Sequence, residues 1–220
     1  KIEALRELMA GFDVVIHTAW YVDHDDYQTS SENIKALVGT LNIAYVAFQL
    51  PNLRFIGIGT CLEYDLTQPM PLKVNSPLKP ETLYSSSKAT AFSTLLKLFE
   101  GDERRFAWCR LFYLYGDNED SRRLYGSLID KLTKNEVVQI ANGDLERDYL
   151  QVNEAAIKII EVLDKERYGA INICSGKPTK ISDFAIKLAR RLGKENLVKF
   201  GSKTNNSGQN IIQKIVGEPN

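Results

Sequence analysis

Leu53-Arg54-Phe55-Ile56-Gly57-Ile58-Gly59-Thr60 is the stretch on which the fold turns. Its large apolar residues run almost without interruption, so it reads as a short strand, Leu53 to Gly57, of the kind buried on both faces of a sheet. Gly59 then reads as a turn, which leaves Thr60 in a loop at the strand's carboxyl edge. Toward the amino terminus, Ile2 to Ala10 has helical spacing and stops at Gly11, and Asp13-Val14-Val15-Ile16-His17 is a second apolar strand. Between the two strands a helix is predicted from a Ser30 or Ser31 cap to Gln49, stopped by Pro51. Toward the carboxyl terminus, a proline-rich polar stretch from Leu66 to Pro80 precedes a helix that carries Tyr84 and runs to Glu100, and then a strand from Phe106 to Phe112. Strand and helix alternate at the spacing of right-handed crossover units, which predicts an α/β fold: a doubly wound, Rossmann-type parallel sheet covered on both faces.

Beyond Gly116 the alternation loosens. A polar loop, Asp117 to Arg123, leads to a helix from Leu124 to Lys134, a strand from Val137 to Ala141 and a turn at Asn142-Gly143. The segment Arg147 to Val152, a helix from Glu154 to Lys165, a strand from Ala170 to Cys174 and an amphipathic helix from Ser182 to Leu192 follow. Ser202 to Gln209 reads as a polar loop. This pattern divides the chain into residues 1–116, the regularly alternating part, and residues 117–220, a smaller α/β cap that returns some segments to the sheet.

The 220 residues are 44% hydrophobic and 25% charged with a formal net charge of zero, enough for one well-packed domain and without the basic excess that nucleic acid attracts. The short basic pairs, such as Arg104-Arg105 and Arg122-Arg123, each lie near carboxylates and read as solvated surface. Cys61, Cys109 and Cys174 are odd in number and far apart, which suits buried reduced thiols better than a disulfide framework. His17 and His24 lack partners at metal-ligand spacing. No apolar run approaches the ~20 residues of a membrane span, and the amino terminus has no signal-peptide pattern, so the expected location is the cytoplasm.

Tyr84-Ser85-Ser86-Ser87-Lys88 carries the chemistry. A tyrosine and a lysine four apart share a helix face, and an ammonium near a phenol favours its ionised form at neutral pH. With the Thr60 hydroxyl as a third member, the group is a candidate general acid/base acting on a carbinol oxygen. The alternative is an exposed helix start with a solvated lysine.

At this point the chain resembles the extended short-chain dehydrogenase/reductases that act on nucleotide sugars, the NAD-dependent epimerase/dehydratase family. Asp13 to Ala19 is similar to that family's strand and cofactor-contacting loop, which implies cofactor roles for His17 and Ala19. Gly59-Thr60-Cys61-Leu62-Glu63-Tyr64 resembles the segment that places the catalytic Ser or Thr, and Tyr84 with Lys88 matches the Tyr-x-x-x-Lys pair. Arg110 to Gly116 resembles the strand and loop beneath the nicotinamide, which implies that Phe112 and Tyr113 contact the cofactor and Tyr113 also the substrate. Arg147-Asp148-Tyr149 resembles the segment whose arginine holds the sugar nucleotide's diphosphate; the alternative for Arg147 is an ion pair with Asp144 or Asp148. Asn172 to Gly176 resembles the late strand and turn near the nucleotide base.

The departures from the family pattern narrow the chemistry. The glycine-rich phosphate turn and the acidic ribose-binding residue are not among these residues, so the chain as given is expected to bind a dinucleotide poorly. Cys61 and Leu62 occupy the places of the Asp-Glu pair of the 4,6-dehydratases and are expected to face substrate; neither can serve as acid and base for loss of water. Ala36 replaces an asparagine of the proton relay, a role for which Asn33 is the substitute. The resemblance implies an NAD- or NADP-dependent enzyme that reduces a nucleotide-linked 4-keto-6-deoxyhexose. A C4 epimerase is the second reading, and a silent module that keeps the fold for binding is the third. Trp20, Tyr21 and Tyr113 to Tyr115 are expected either to line the sugar pocket or to pack at strand ends. The helices Ser31 to Gln49 and Thr82 to Glu100 resemble a four-helix homodimer interface.

Overall fold

The computed structural model describes residues 2–201 and 212–220, so the segment Ser202 to Gln209 lies outside the described residues. Four parallel strands form the main sheet in the order β1-β2-β3-β7: β1 (Val14–His17), β2 (Arg54–Thr60), β3 (Phe106–Leu111) and β7 (Gly169–Ile173). In-register pairs such as Ile56 with Ala107 and Cys109 with Ile171 align the carboxyl ends of these strands on one edge. Helices α1 (Ile2–Met9), α2 (Glu32–Gln49) and α3 (Leu83–Leu98) cover one face, where Ala44, Ala47, Phe55, Leu95, Phe99 and Phe106 make the core. Helix α5 (Val152–Asp164) covers the other face through Ala155 and Val162 against Ile56, Ile58 and Ile171. The expected α/β architecture with a parallel sheet covered on both faces is therefore present.

The second element of β2 differs from expectation. The strand does not end at Gly57 but runs through Gly59 to Thr60, and the glycines serve close packing rather than a turn. A Cβ on either Gly57 or Gly59 would overlap the buried Trp108 indole on the neighbouring strand. Thr60 is thus held on a sheet strand, more rigidly than on a loop.

The remaining strands sit apart. β4 (Tyr113–Tyr115) pairs in parallel with β6 (Glu146–Gln151), which also pairs with β10 (Lys214–Ile215) and, antiparallel, with β8 (Pro178–Lys180). β5 (Val138–Ala141) pairs with β9 (Val198–Gly201), and helices α4 (Leu124–Thr133) and α6 (Ile181–Arg191) bury Leu128, Leu132, Phe184 and Leu188 beside it. Helix α5 starts two residues before its predicted Glu154 because the Gln151 side chain accepts from the N–H groups of Asn153 and Glu154 and caps the helix. Among the described residues no helix is long and apolar enough to cross a membrane.

Candidate active site

The carboxyl edge of the sheet gathers the residues singled out above. Thr60 ends β2 and opens a 3-10 turn, Cys61–Glu63. Thr82 caps α3 by accepting from the Ser85 N–H, and this cap sets the start of the helix that carries Tyr84 and Lys88. Burial and the nearby Tyr27 push the Tyr84 phenol's pKa well above its ordinary value, and the Thr60 hydroxyl draws it the other way. Lys88 is buried, and its Nζ donates to the Ile58 carbonyl at 2.6 Å.

Lys88 departs from the expected arrangement. Its Nζ lies 3.9 Å from the centre of the Trp20 ring and 5.9 Å from that of Tyr84, so the ammonium faces indole and carbonyl rather than stabilising a phenolate. Burial lowers its pKa to about 7, with Glu63 opposing the shift. The physical reason is shared desolvation: both charged forms lose water, so both groups move toward neutrality. His17, at the end of β1, bonds Thr40 at 2.9 Å through Nε2, and its pKa is lowered by burial and by Lys88. Ala19 lies in the loop that follows. Asn33, the expected substitute in the proton relay, is fully occupied elsewhere: its Nδ2 donates to the carbonyls of Tyr27 and Ser30, and its Oδ1 accepts from Trp20 Nε1.

Cys61 and Phe112 turn inward. Both are buried in one cluster with Tyr64, Leu72 and Cys174, against which Leu62 and Tyr113 pack, and burial pushes the Cys61 thiol up to about 12. An inert thiol packed this way fills the core, so Cys61 does not present its sulfur to a substrate. Phe112 is buried, and its N–H donates to the Ile173 carbonyl at 3.2 Å. Tyr113 is half-buried, with its pKa raised by burial and opposed by Arg147.

Arg147 makes no carboxylate ion pair among the described residues. Its guanidinium donates to the carbonyls of Glu146, Ile212 and Gln213 and lies 5.5 Å from the Tyr113 ring centre. The alternative of an Asp144 or Asp148 partner is overturned: Asp144 pairs with Lys180 at 2.9 Å, and buried Asp148 accepts from the backbone of Ser175, Gly176 and Gly217 and from the Ser175 hydroxyl. Asp148, named from sequence only as a partner for Arg147, ties the turn after β7 to β6. The Tyr21 hydroxyl donates to Asp26 Oδ1 at 2.6 Å.

The most consequential residue missed from sequence is Glu63. It is wholly buried, accepts from the Thr60 N–H at 2.8 Å and from Trp108 Nε1 at 3.0 Å, and pairs with Arg110 Nε at 2.7 Å. The signal was available, because Thr60-Cys61-Leu62-Glu63 has the Thr-x-x-Glu spacing of a capping box, and both halves of that box are formed.

A parallel sheet with a Tyr-x-x-x-Lys pair and a threonine at its carboxyl edge defines the extended short-chain dehydrogenase/reductase class of enzymes. Residues 1–174 match the model of the NAD dependent epimerase/dehydratase family, and the chain belongs to that family. A curated relative, dTDP-6-deoxy-L-talose 4-dehydrogenase (NAD(+)) from Aggregatibacter actinomycetemcomitans, is 24% identical over 117 residues, which cover 50% of this chain and 42% of the relative. UDP-N-acetylglucosamine 4-epimerase from Bacillus cereus superimposes with a TM-score of 0.84 at 18% identity, over 100% of this chain and 72% of its own. RMD from Pseudomonas aeruginosa, complexed with NADPH, gives 0.83 at 20% identity, over 100% and 76%. These likenesses in structure are likenesses of fold.

Proposed function

We propose that the protein reduces the keto group of a nucleotide-linked 4-keto-6-deoxyhexose with NAD or NADP as the hydride source. The observation that supports this reading is the meeting of Thr60, Tyr84 and Lys88 at one end of the sheet, with donors of Lys88 still unused among the described residues. A protonated lysine has three N–H donors; the Ile58 carbonyl accepts from one, which leaves donors suited to a ribose hydroxyl. Lys88 and Tyr84, with the His17 to Ala19 loop, are the residues that would hold the nicotinamide ribose. When bound, the dinucleotide supplies a hydride.

The direction of proton movement follows from burial. Tyr84 is held as the neutral phenol, which is the form that donates a proton to a carbonyl oxygen as it gains charge. Thr60 presents a second hydroxyl to the same oxygen, and β2 fixes where that hydroxyl sits. Lys88, titrating near neutrality, exchanges its proton readily and can restore the phenol. Arg147 offers a planar cation without a carboxylate partner among the described residues, suited to the diphosphate. The absence of an acid and base at Cys61-Leu62 argues against elimination of water.

Within this proposal, residues 1–116 are the cofactor side and residues 117–220 mainly the substrate side, the enzyme works in the cytoplasm, and two copies associate through α2 and α3. Ile34, Val38 and Tyr45 on α2 and Leu96 on α3 are exposed along their outer faces, which supports the homodimer. Sedimentation of Val38→Glu is expected to give a monomer; an unchanged oligomer would remove that face from consideration. The reading as a whole is tested by incubating the full-length protein with a nucleotide 4-keto-6-deoxyhexose and reduced dinucleotide. Stoichiometric oxidation of dinucleotide with formation of the 4-hydroxy sugar is expected. Sugar inversion without net dinucleotide consumption would indicate the C4 epimerase instead, and no turnover of either kind a silent module.

A further inference from the structure

We propose that Trp20 is a positioning residue for Lys88, held in place by Asn33 as part of a strap, residues 20–30, that clasps the catalytic pair. This rests on the reductase reading for its importance but not for its geometry. The indole face lies 3.9 Å from Lys88 Nζ, within cation–π range. The opposite handle of the ring, Nε1, donates to Asn33 Oδ1 at 2.8 Å, and Asn33 is completely buried at the start of α2. The same Asn33 amide donates to the carbonyls of Tyr27 at 2.6 Å and Ser30 at 2.9 Å, so one side chain anchors both ends of the strap.

The strap also reaches Tyr84. The Tyr84 N–H donates to the Gln28 carbonyl at 3.1 Å, the Tyr27 ring stands edge-on to the Tyr84 ring at 5.0 Å between centres, and Trp20 does the same at 6.4 Å. Both members of the catalytic pair are therefore covered by aromatic rings from a segment far from them in sequence. None of this is expected of residues that merely finish a strand end. Exposed turn residues need no buried amide to hold them, and a buried asparagine with all its groups paired is an expensive device unless geometry matters.

The ring over Lys88 has a specific physical effect. It excludes water from one side of the ammonium while offering a π face in return. The other charged or titratable groups around Lys88 are His17 from β1, Glu63 from the turn after β2 and Tyr84 from its own helix. All three remain when Trp20 alone is changed, so a difference between variants reports on the indole.

The test follows the titration of the Lys88 amine by NMR of side-chain-labelled lysine in the full-length protein, with Lys88→Met assigning the signal. Trp20→Ala admits water and is expected to raise the Lys88 titration midpoint by at least about one pH unit, because desolvation is the dominant cause of its depression. Trp20→Gln, of comparable reach and hydrophilic, is the second variant and is expected to move the midpoint the same way. Trp20→Phe keeps a ring over the amine and is expected to stay within about half a unit of the unmodified protein. Midpoints unchanged in both Trp20→Ala and Trp20→Gln would overturn the proposal. The ketosugar assay is a separate readout: shifted midpoints without turnover in the unmodified protein retain the role of Trp20 and remove the reductase, whereas turnover with unshifted midpoints does the reverse.

Discussion

Two buried polar centres lie within a few residues of each other at the end of β2, and they are built on opposite plans. Around Glu63 the carboxylate is fully engaged: the Thr60 N–H, Trp108 Nε1 and Arg110 Nε all donate to it, and Arg110 Nη1 donates onward to Tyr64 while Nη2 has no partner among the described residues. Around Lys88 the reverse holds, since one carbonyl and two aromatic faces surround an ammonium with three donors. Burial of charge without full pairing costs stability, and proteins keep it where a proton must move. The contrast teaches how one strand end is made rigid and reactive together. Glu63 fixes the backbone of Thr60, and the Thr60 hydroxyl oxygen accepts from the Leu62 N–H at 3.3 Å, which leaves the hydroxyl proton unused by the cap.

The largest effect that would sharpen this comparison is expected at the satisfied centre. Glu63→Ala leaves Arg110 buried without its partner and is expected to lower the unfolding free energy by about 3–5 kcal/mol in urea titration. A loss near zero would mean that the carboxylate is not the structural half of the pair of centres. Thr60→Val comes next. It keeps the shape of the strand end and removes the hydroxyl, and turnover is expected to fall by about 10²-fold, with about 1 kcal/mol of stability lost through the cap.

The poised centre should behave in the opposite sense. Lys88→Met, apolar and of similar length, is expected to change stability by no more than about 1 kcal/mol at neutral pH, or to raise it, while abolishing turnover. The pH dependence follows from linkage. With a folded-state pKa near about 7 and an unfolded value of about 10.4, Lys88 in the unfolded chain keeps a proton that the folded chain releases between those limits. Its contribution therefore makes the wild type more stable as pH rises from 7 toward 10. Any advantage of Lys88→Met in urea unfolding is expected to shrink between pH 7 and pH 9. An advantage that stays constant would mean that Lys88 is not depressed.

Much of the fold was legible because periodicity and punctuation agreed. Gly11 and Pro51 closed their helices, and the apolar runs at Val14, Phe55, Phe106 and Ala170 each became a strand of the parallel sheet. The short strands β8, β9 and β10 were not legible. Residues such as Pro178-Thr179-Lys180 carry no alternation, and they become a strand only because β6 offers an edge to pair with. At the site, the sequence spacing placed Tyr84 and Lys88 on one helix, but spacing within a helix says nothing of what arrives from elsewhere. Trp20 reaches Lys88 from the loop after β1, and Glu63 acts through the backbone of Thr60; both contacts depend on packing between distant segments. The burial of Cys61 was legible from the number and spacing of the cysteines; the substrate-facing role came only from the family resemblance.

The central claim is that Tyr84 moves the proton while its neighbours hold the frame. It is tested most directly by measuring turnover and urea unfolding on the same preparation of Tyr84→Phe, in the full-length protein with a nucleotide 4-keto-6-deoxyhexose and reduced dinucleotide. The account predicts a fall in kcat of about 10²–10⁴-fold with an unfolding free energy within about 0.5 kcal/mol of the wild type. A variant that turns over at the wild-type rate, with the same stability, would contradict it.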